Sequence, residues 1–137
     1  PCPVCSRSNP KAMEIDELRS FCLSLPETEE SFPFDQRTLV FKVAGKMFAA
    51  LDIEWIDKTV NLKCHPELAL RYRNEYPELV KPGYHMNKKH WNTVAITELP
   101  KAHLAEHMVR HSYELVVSKL PKSQRQAIQK QYLHPDP

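Results

Sequence analysis

Leu39-Val40-Phe41-Lys42-Val43-Ala44-Gly45-Lys46-Met47-Phe48-Ala49-Ala50-Leu51-Asp52-Ile53 is the stretch that decides the architecture. Leu39, Phe41 and Val43 alternate with Val40 and Lys42, and Met47, Ala49, Leu51 and Ile53 alternate with Phe48, Ala50 and Asp52. Two period-two runs on either side of Ala44-Gly45-Lys46 predict an antiparallel hairpin, with Gly45 supplying the positive φ of the turn. On this count Phe48 faces away from Ala49 and Leu51.

Outward from the hairpin, Val60, Leu62 and Cys64 alternate with Asn61 and Lys63. The link Glu54–Lys58 is short, so this third strand is an antiparallel neighbour of the second. Upstream, Ile15, Leu18, Cys22 and Leu25 recur at helical spacing with Phe21 beside them, and Pro26 stops the helix. Ser31-Phe32-Pro33-Phe34-Asp35 reads as an aromatic loop that tucks both phenylalanines onto the core. Downstream, Pro66 and Glu67 open a helix whose buried stripe is Leu68, Tyr72 and Tyr76, ended by Pro77. A strand follows at Trp91–Ile96, with room for a short strand before it. A helix from about Pro100 then carries Leu104, Met108, Ser112 and Leu115 on one face, and a basic helix follows Pro121. This order predicts an α+β domain: an antiparallel sheet of about five strands, packed on one face by helices, the other face solvated or used for binding.

At 137 residues, with 42% hydrophobic and 26% charged residues, the chain is expected to be one soluble domain. No apolar run approaches the ~18 residues of a membrane span, and no apolar h-region marks a signal peptide, so a cytoplasmic protein is expected. Residues 1–12, with Cys2-Pro3-Val4-Cys5, lack periodicity and are read as a leader or added remnant. One CxxC is only half of a zinc knuckle or a redox pair without its partners. Residues 13–120 form the domain and 121–137 a basic helical tail. Cys22 and Cys64 fall on apolar faces and are expected as buried free thiols.

Charge is unevenly placed. Residues 14–35 hold seven acids against Arg19 alone, while residues 36–137 hold sixteen bases and ten acids. An acidic start and a basic remainder suit oriented encounter with a polyanion. The richest segment is Gly83-Tyr84-His85-Met86-Asn87-Lys88-Lys89-His90-Trp91-Asn92-Thr93-Val94, which contains no acid. Lys88 and Lys89 are expected on phosphates, and His85 and His90 as hydrogen-bond donors. Trp91 is expected to stack, and Asn92 to read a base edge or bind backbone. The competing reading makes Trp91 a core plug and Asn92 a turn pin. Lys42, Lys46 and Lys63 form a candidate second patch, and Lys122, Arg125 and Lys130 a further phosphate contact.

Catalytic and cofactor chemistry find no pattern. The chain has two glycines and no phosphate-cradling loop or nucleophile elbow. Cys64 and His65 are adjacent on a strand and face opposite ways, a poor arrangement for thiol activation. His103, His107 and His111 recur every four residues, but the glutamate of H-E-x-x-H is missing and Arg110 opposes a cation. No metal is therefore expected, and His111 is read as a half-buried structural histidine.

Phe32-Pro33-Phe34-Asp35, the hairpin Leu39–Ala49, Asn61-Leu62-Lys63-Cys64, the segment Pro82–Val94 and His111-Ser112-Tyr113-Glu114-Leu115-Val116 together carry a likeness. The chain resembles the MmcQ/YjbR-like family of small bacterial proteins over about Met13 to Leu120. That resemblance implies a CyaY/frataxin-like α+β fold and a DNA-binding module with a double-wing arrangement. His65 stands where such sequences often carry an acid. The expected function is non-enzymatic DNA binding through Lys88 to Asn92, with the hairpin as a wing. The alternative is a module that binds a protein or a small ligand.

Overall fold

The computed structural model describes residues 14–54, 58–83, 87–99 and 102–133. Helix α1 (Ile15–Ser24) starts at a reciprocal capping box between Glu14 and Glu17 and buries Leu18 and Cys22. Six strands follow among the described residues: β1 (Thr28–Ser31), β2 (Thr38–Val43), β3 (Lys46–Asp52), β4 (Thr59–Lys63), β5 (Val80–Pro82) and β6 (Trp91–Ala95). Helix α2 (Pro66–Glu75) lies between β4 and β5, and α3 (Ala102–Ser118) and α4 (Lys122–Leu133) close the chain. All pairings are antiparallel, in the order β1-β2-β3-β4-β6-β5. The α+β class with helices packed on an antiparallel sheet is as the sequence predicts.

The hairpin turns on two residues. Val43 pairs with Lys46, and Ala44 and Gly45 between them take φ of +51° and +82°. Two consecutive positive φ values belong to the primed turns that match strand twist. Leu39, Phe41 and Val43 join Ala49, Leu51, Val60 and Leu62 in one core with Leu18, Val109 and Tyr113. Tyr113 meets the Phe48 ring edge-on at 5.4 Å, and its hydroxyl donates to Pro26 O. Cys22 and Cys64 are buried free thiols.

The sixth strand is Thr28–Ser31, which pairs along β2 between the end of the first helix and the aromatic loop. Two expectations are corrected. Phe48 is fully buried in the core beside Ala49, since the register slips between Phe41 and Lys42 and makes Phe48 the extra residue of a bulge. Phe32 and Phe34 do not tuck inward; they are 46% and 70% exposed. The Asp35 carboxylate accepts from the amides of Arg37 and Thr38, which fixes this turn off the end of the sheet. On the face away from the helices, Val40, Ala50 and Trp91 are buried.

The segment after Pro121 is a docked helix: Ile128 is 2% exposed, and Arg125 donates to Leu120 O. Residues 1–12, with Cys2 and Cys5, and the end of the tail lie outside the described residues.

Candidate nucleic-acid interface

Antiparallel pairing decides which basic residues meet. β4 ends at Lys63, opposite Trp91 at the start of β6. β3 starts at Lys46, beside the hairpin turn, and pairs with β4 from Ala49 opposite Leu62. The tips that carry Lys46, Lys63, Lys88, Lys89 and His90 therefore lie at one end of the sheet. The two patches that the sequence suggests separately share this end of the sheet.

A tight turn presents the middle of that surface. Asn87 Oδ1 accepts from Lys89 N at 2.9 Å, and Asn87 O accepts from His90 N and Trp91 N at 3.2 and 2.9 Å. This side-chain turn is a standard use of asparagine. Lys88 and Lys89 are exposed on it and His90 is half-buried. Lys88 Nζ donates to Gly83 O at 2.9 Å. Past the ends of the ladders, Cys64 N donates to His90 O and Gly83 N to Trp91 O, which ties the turn to both neighbours.

Arg73 of α2 holds the turn from behind. Its Nε donates to Asn92 Oδ1 at 2.7 Å, and its Nη2 donates to Lys88 O and to Trp91 O. Neither Arg73 nor Asn87 was singled out in the sequence. The available signal for Asn87 was an asparagine two residues before a backbone N–H that needs a partner.

The roles expected of Asn92 and Trp91 change accordingly. Asn92 is 2% exposed, takes the Arg73 guanidinium and approaches Ala69 O at 3.5 Å. Burial on the helix side of the sheet removes it from any base edge. Trp91 is 9% exposed on the opposite face, so its ring is not an open stacking platform. His85 lies outside the described residues. The hairpin is interior to the sheet, flanked by β1 and β4, and offers a ligand its turn rather than a whole wing.

Lys42 is half-buried and stands opposite Glu29 of β1. Opposite charges across a strand pair attract, so Lys42 marks the border with the acidic corner. At the far end of the sheet Arg37 pairs with Asp52 at 2.8 Å and with Glu54 at 3.3 Å. Arg19 pairs with Glu30. None of these ion pairs, all among the described residues, involves Lys46, Lys63, Lys88 or Lys89.

The catalytic alternatives weaken on chemical grounds. Burial pushes the Cys64 thiol up to about 11, the opposite of thiolate activation. His65 caps α2 through Nδ1, which accepts from Glu67 N at 3.3 Å. His111 Nε2 accepts from His65 N at 3.3 Å, so that lone pair is engaged within the fold. His103 and His107 are exposed on α3.

Comparison with known proteins agrees with this architecture. The YjbR family model matches residues 23–115. The uncharacterised protein YjbR of Escherichia coli strain K12 is 33% identical over 117 residues, 85% of this chain and 98% of that protein. The uncharacterised protein YbdF of Escherichia coli O157:H7 is 35% identical over 113 residues, 82% of this chain and 92% of that protein. Among solved structures, the Deinococcus radiodurans protein DR2400, a DUF419 domain, superposes with a TM-score of 0.79 at 40% identity, covering 88% of this chain and 91% of that one. A Pseudomonas syringae protein, target PsR293, shares the fold with a TM-score of 0.61 at 24% identity, over 75% of this chain and 98% of that one. No described helix is long and apolar enough to cross a membrane. The chain belongs to the YjbR family.

Proposed function

We propose that the chain is a non-enzymatic module that binds nucleic acid by its phosphate backbone. Its contact surface is the end of the sheet formed by the hairpin turn, the tip of β4 and the turn Asn87–His90. The observation that carries this reading is the convergence of Lys46, Lys63, Lys88 and Lys89 on one end, with Lys42 at its border. Lysine ammonium groups on exposed tips reach phosphates and release counterions. With Asn92 and Trp91 buried, little remains to read base edges, so the binding is tolerant of sequence.

The test is fluorescence anisotropy of a labelled 20-base-pair duplex between 50 and 200 mM salt. Affinity should fall steeply with salt, and two duplexes of unrelated sequence should bind alike. Each lysine on a phosphate contributes roughly −0.9 to the slope of log K against log salt. The Lys88→Ala/Lys89→Ala variant should therefore flatten the slope by about two. An unchanged slope removes both residues from the interface.

A further inference from the structure

β3 and β4 separate where the sheet meets α3. Their pairing ends at Ala49 opposite Leu62, and the next two backbone groups no longer reach each other. Ser112 of α3 bridges them: its Oγ donates to Phe48 O at 2.5 Å and accepts from Lys63 N at 2.8 Å. Beyond this bridge the strands leave a cleft of about 290 Å³. Lys46, Lys63 and Lys119 line it together with Met47, Val116 and Leu120, and no acid is among these residues.

We propose that this cleft binds a phosphomonoester attached to an apolar or ring-bearing body, either a free mononucleotide or the phosphorylated end of a strand. The proposal rests on reading this end as a phosphate-binding surface, and it adds a discrete pocket. Lysines around an acid-free cleft repel each other, and a ligand of matching charge relieves that repulsion. A phosphomonoester carries about −1.5 to −2 near neutral pH, against −1 for a carboxylate or an internal phosphodiester. The C-terminus of α3 opposes an anion with roughly half a negative charge. Two of its carbonyls, those of Val116 and Val117, are already taken by Lys119 N and Leu120 N. The lysine charges around the cleft outweigh what remains of it. Met47, Val116 and Leu120 offer an apolar wall for a base or similar ring, and the volume sits near the lower bound of about 300 Å³ for small-ligand pockets.

The experiment uses the full chain with four probes: adenosine 5′-monophosphate, adenosine, and one short single strand bearing either a 5′-phosphate or a 5′-hydroxyl. The mononucleotide should shift the amides of Met47, Lys63, Val116 and Lys119, and adenosine should not. The phosphorylated strand should bind about tenfold tighter than its hydroxyl twin, the scale of one charge-assisted contact. Lys119→Ala, at an exposed position, should remove most of that preference. A response to the mononucleotide alone identifies a free nucleotide as the ligand, and a response to the strand alone identifies a strand end. If both strands bind equally and the mononucleotide shifts nothing in the cleft, the pocket is overturned while backbone binding stands. If neither strand nor duplex binds, the backbone reading falls with it.

Discussion

Arg73 is the side chain on which the basic turn depends. One guanidinium satisfies Asn92 Oδ1 and the carbonyls of Lys88 and Trp91. Arg73→Ala leaves the buried Asn92 acceptor without its donor, and water replaces only part of the loss. A destabilisation of roughly 1–3 kcal/mol by urea unfolding is expected. Arg73→Lys should recover little of it, since an ammonium lacks the planar fork. If Arg73→Lys unfolds like the wild type, the fork is not what holds the turn. His111 gives a second prediction. Burial foremost, then His107, holds its pKa below the ordinary 6.5, with His65 adding to the effect and Glu114 opposing it. The unfolded chain thus binds a proton more readily. The contribution of neutral His111 is complete above about pH 6.5 and is lost as pH falls through the lower folded value. The carboxyls of Glu30, Asp35 and Asp52 also lie below their ordinary values, so their contributions disappear only in more acid solution. Urea midpoints should drop from pH 7.5 to about pH 5 in the wild type and drop less in His111→Gln. Equal drops would show that His111 does not set this dependence. At this scale the sequence named the lysines and missed their supports. Lys88 and Lys89 are visible as charges, whereas the value of Arg73 lies in three acceptors that only the fold brings to it.

Among the elements, the junction of β3, β4 and α3 is the most constrained. Ser112→Ala removes the one hydroxyl that serves both Phe48 O and Lys63 N. A loss of about 2 kcal/mol or more is expected from the two orphaned groups. Amide exchange at Lys63 should accelerate more than at Val60, which pairs within the ladder. Equal acceleration at both positions would deny Ser112 its local role. The serine stood on the apolar stripe of its helix in the sequence, but its partners belong to strands more than forty residues away. The strands themselves were legible to the extent that pairing did not intrude. Alternation placed β2 and β4 correctly and failed at Phe48, because a bulge is a relation between two strands and leaves no mark on the period of one. β1 was missed for a related reason. Thr28-Glu29-Glu30-Ser31 carries no apolar residue, so its strand character comes entirely from its bonds to β2.

Across the whole molecule, Lys46, Lys63, Lys88 and Lys89 gather at one end of the sheet, and Arg37 is paired with Asp52 and Glu54 at the other. Hairpin, short link and helix boundaries were enough to give the α+β sheet from the sequence. The placing of β6 beside β4, which joins Trp91 to Lys63 and brings the two patches to one end, was not visible, since the 27 intervening residues include a helix and a strand. The same placement buried Asn92 and so moved the expected binding from bases to backbone. The most direct measurement is a titration of the ¹⁵N-labelled full chain with a 20-base-pair duplex at 50 mM salt, read as amide shifts. The account predicts the largest shifts at Gly45–Met47, Lys63 and Lys88–His90, with Arg37 and Asp52 at the far end unmoved. Shifts centred on Arg37 and Asp52, or none anywhere, would contradict it.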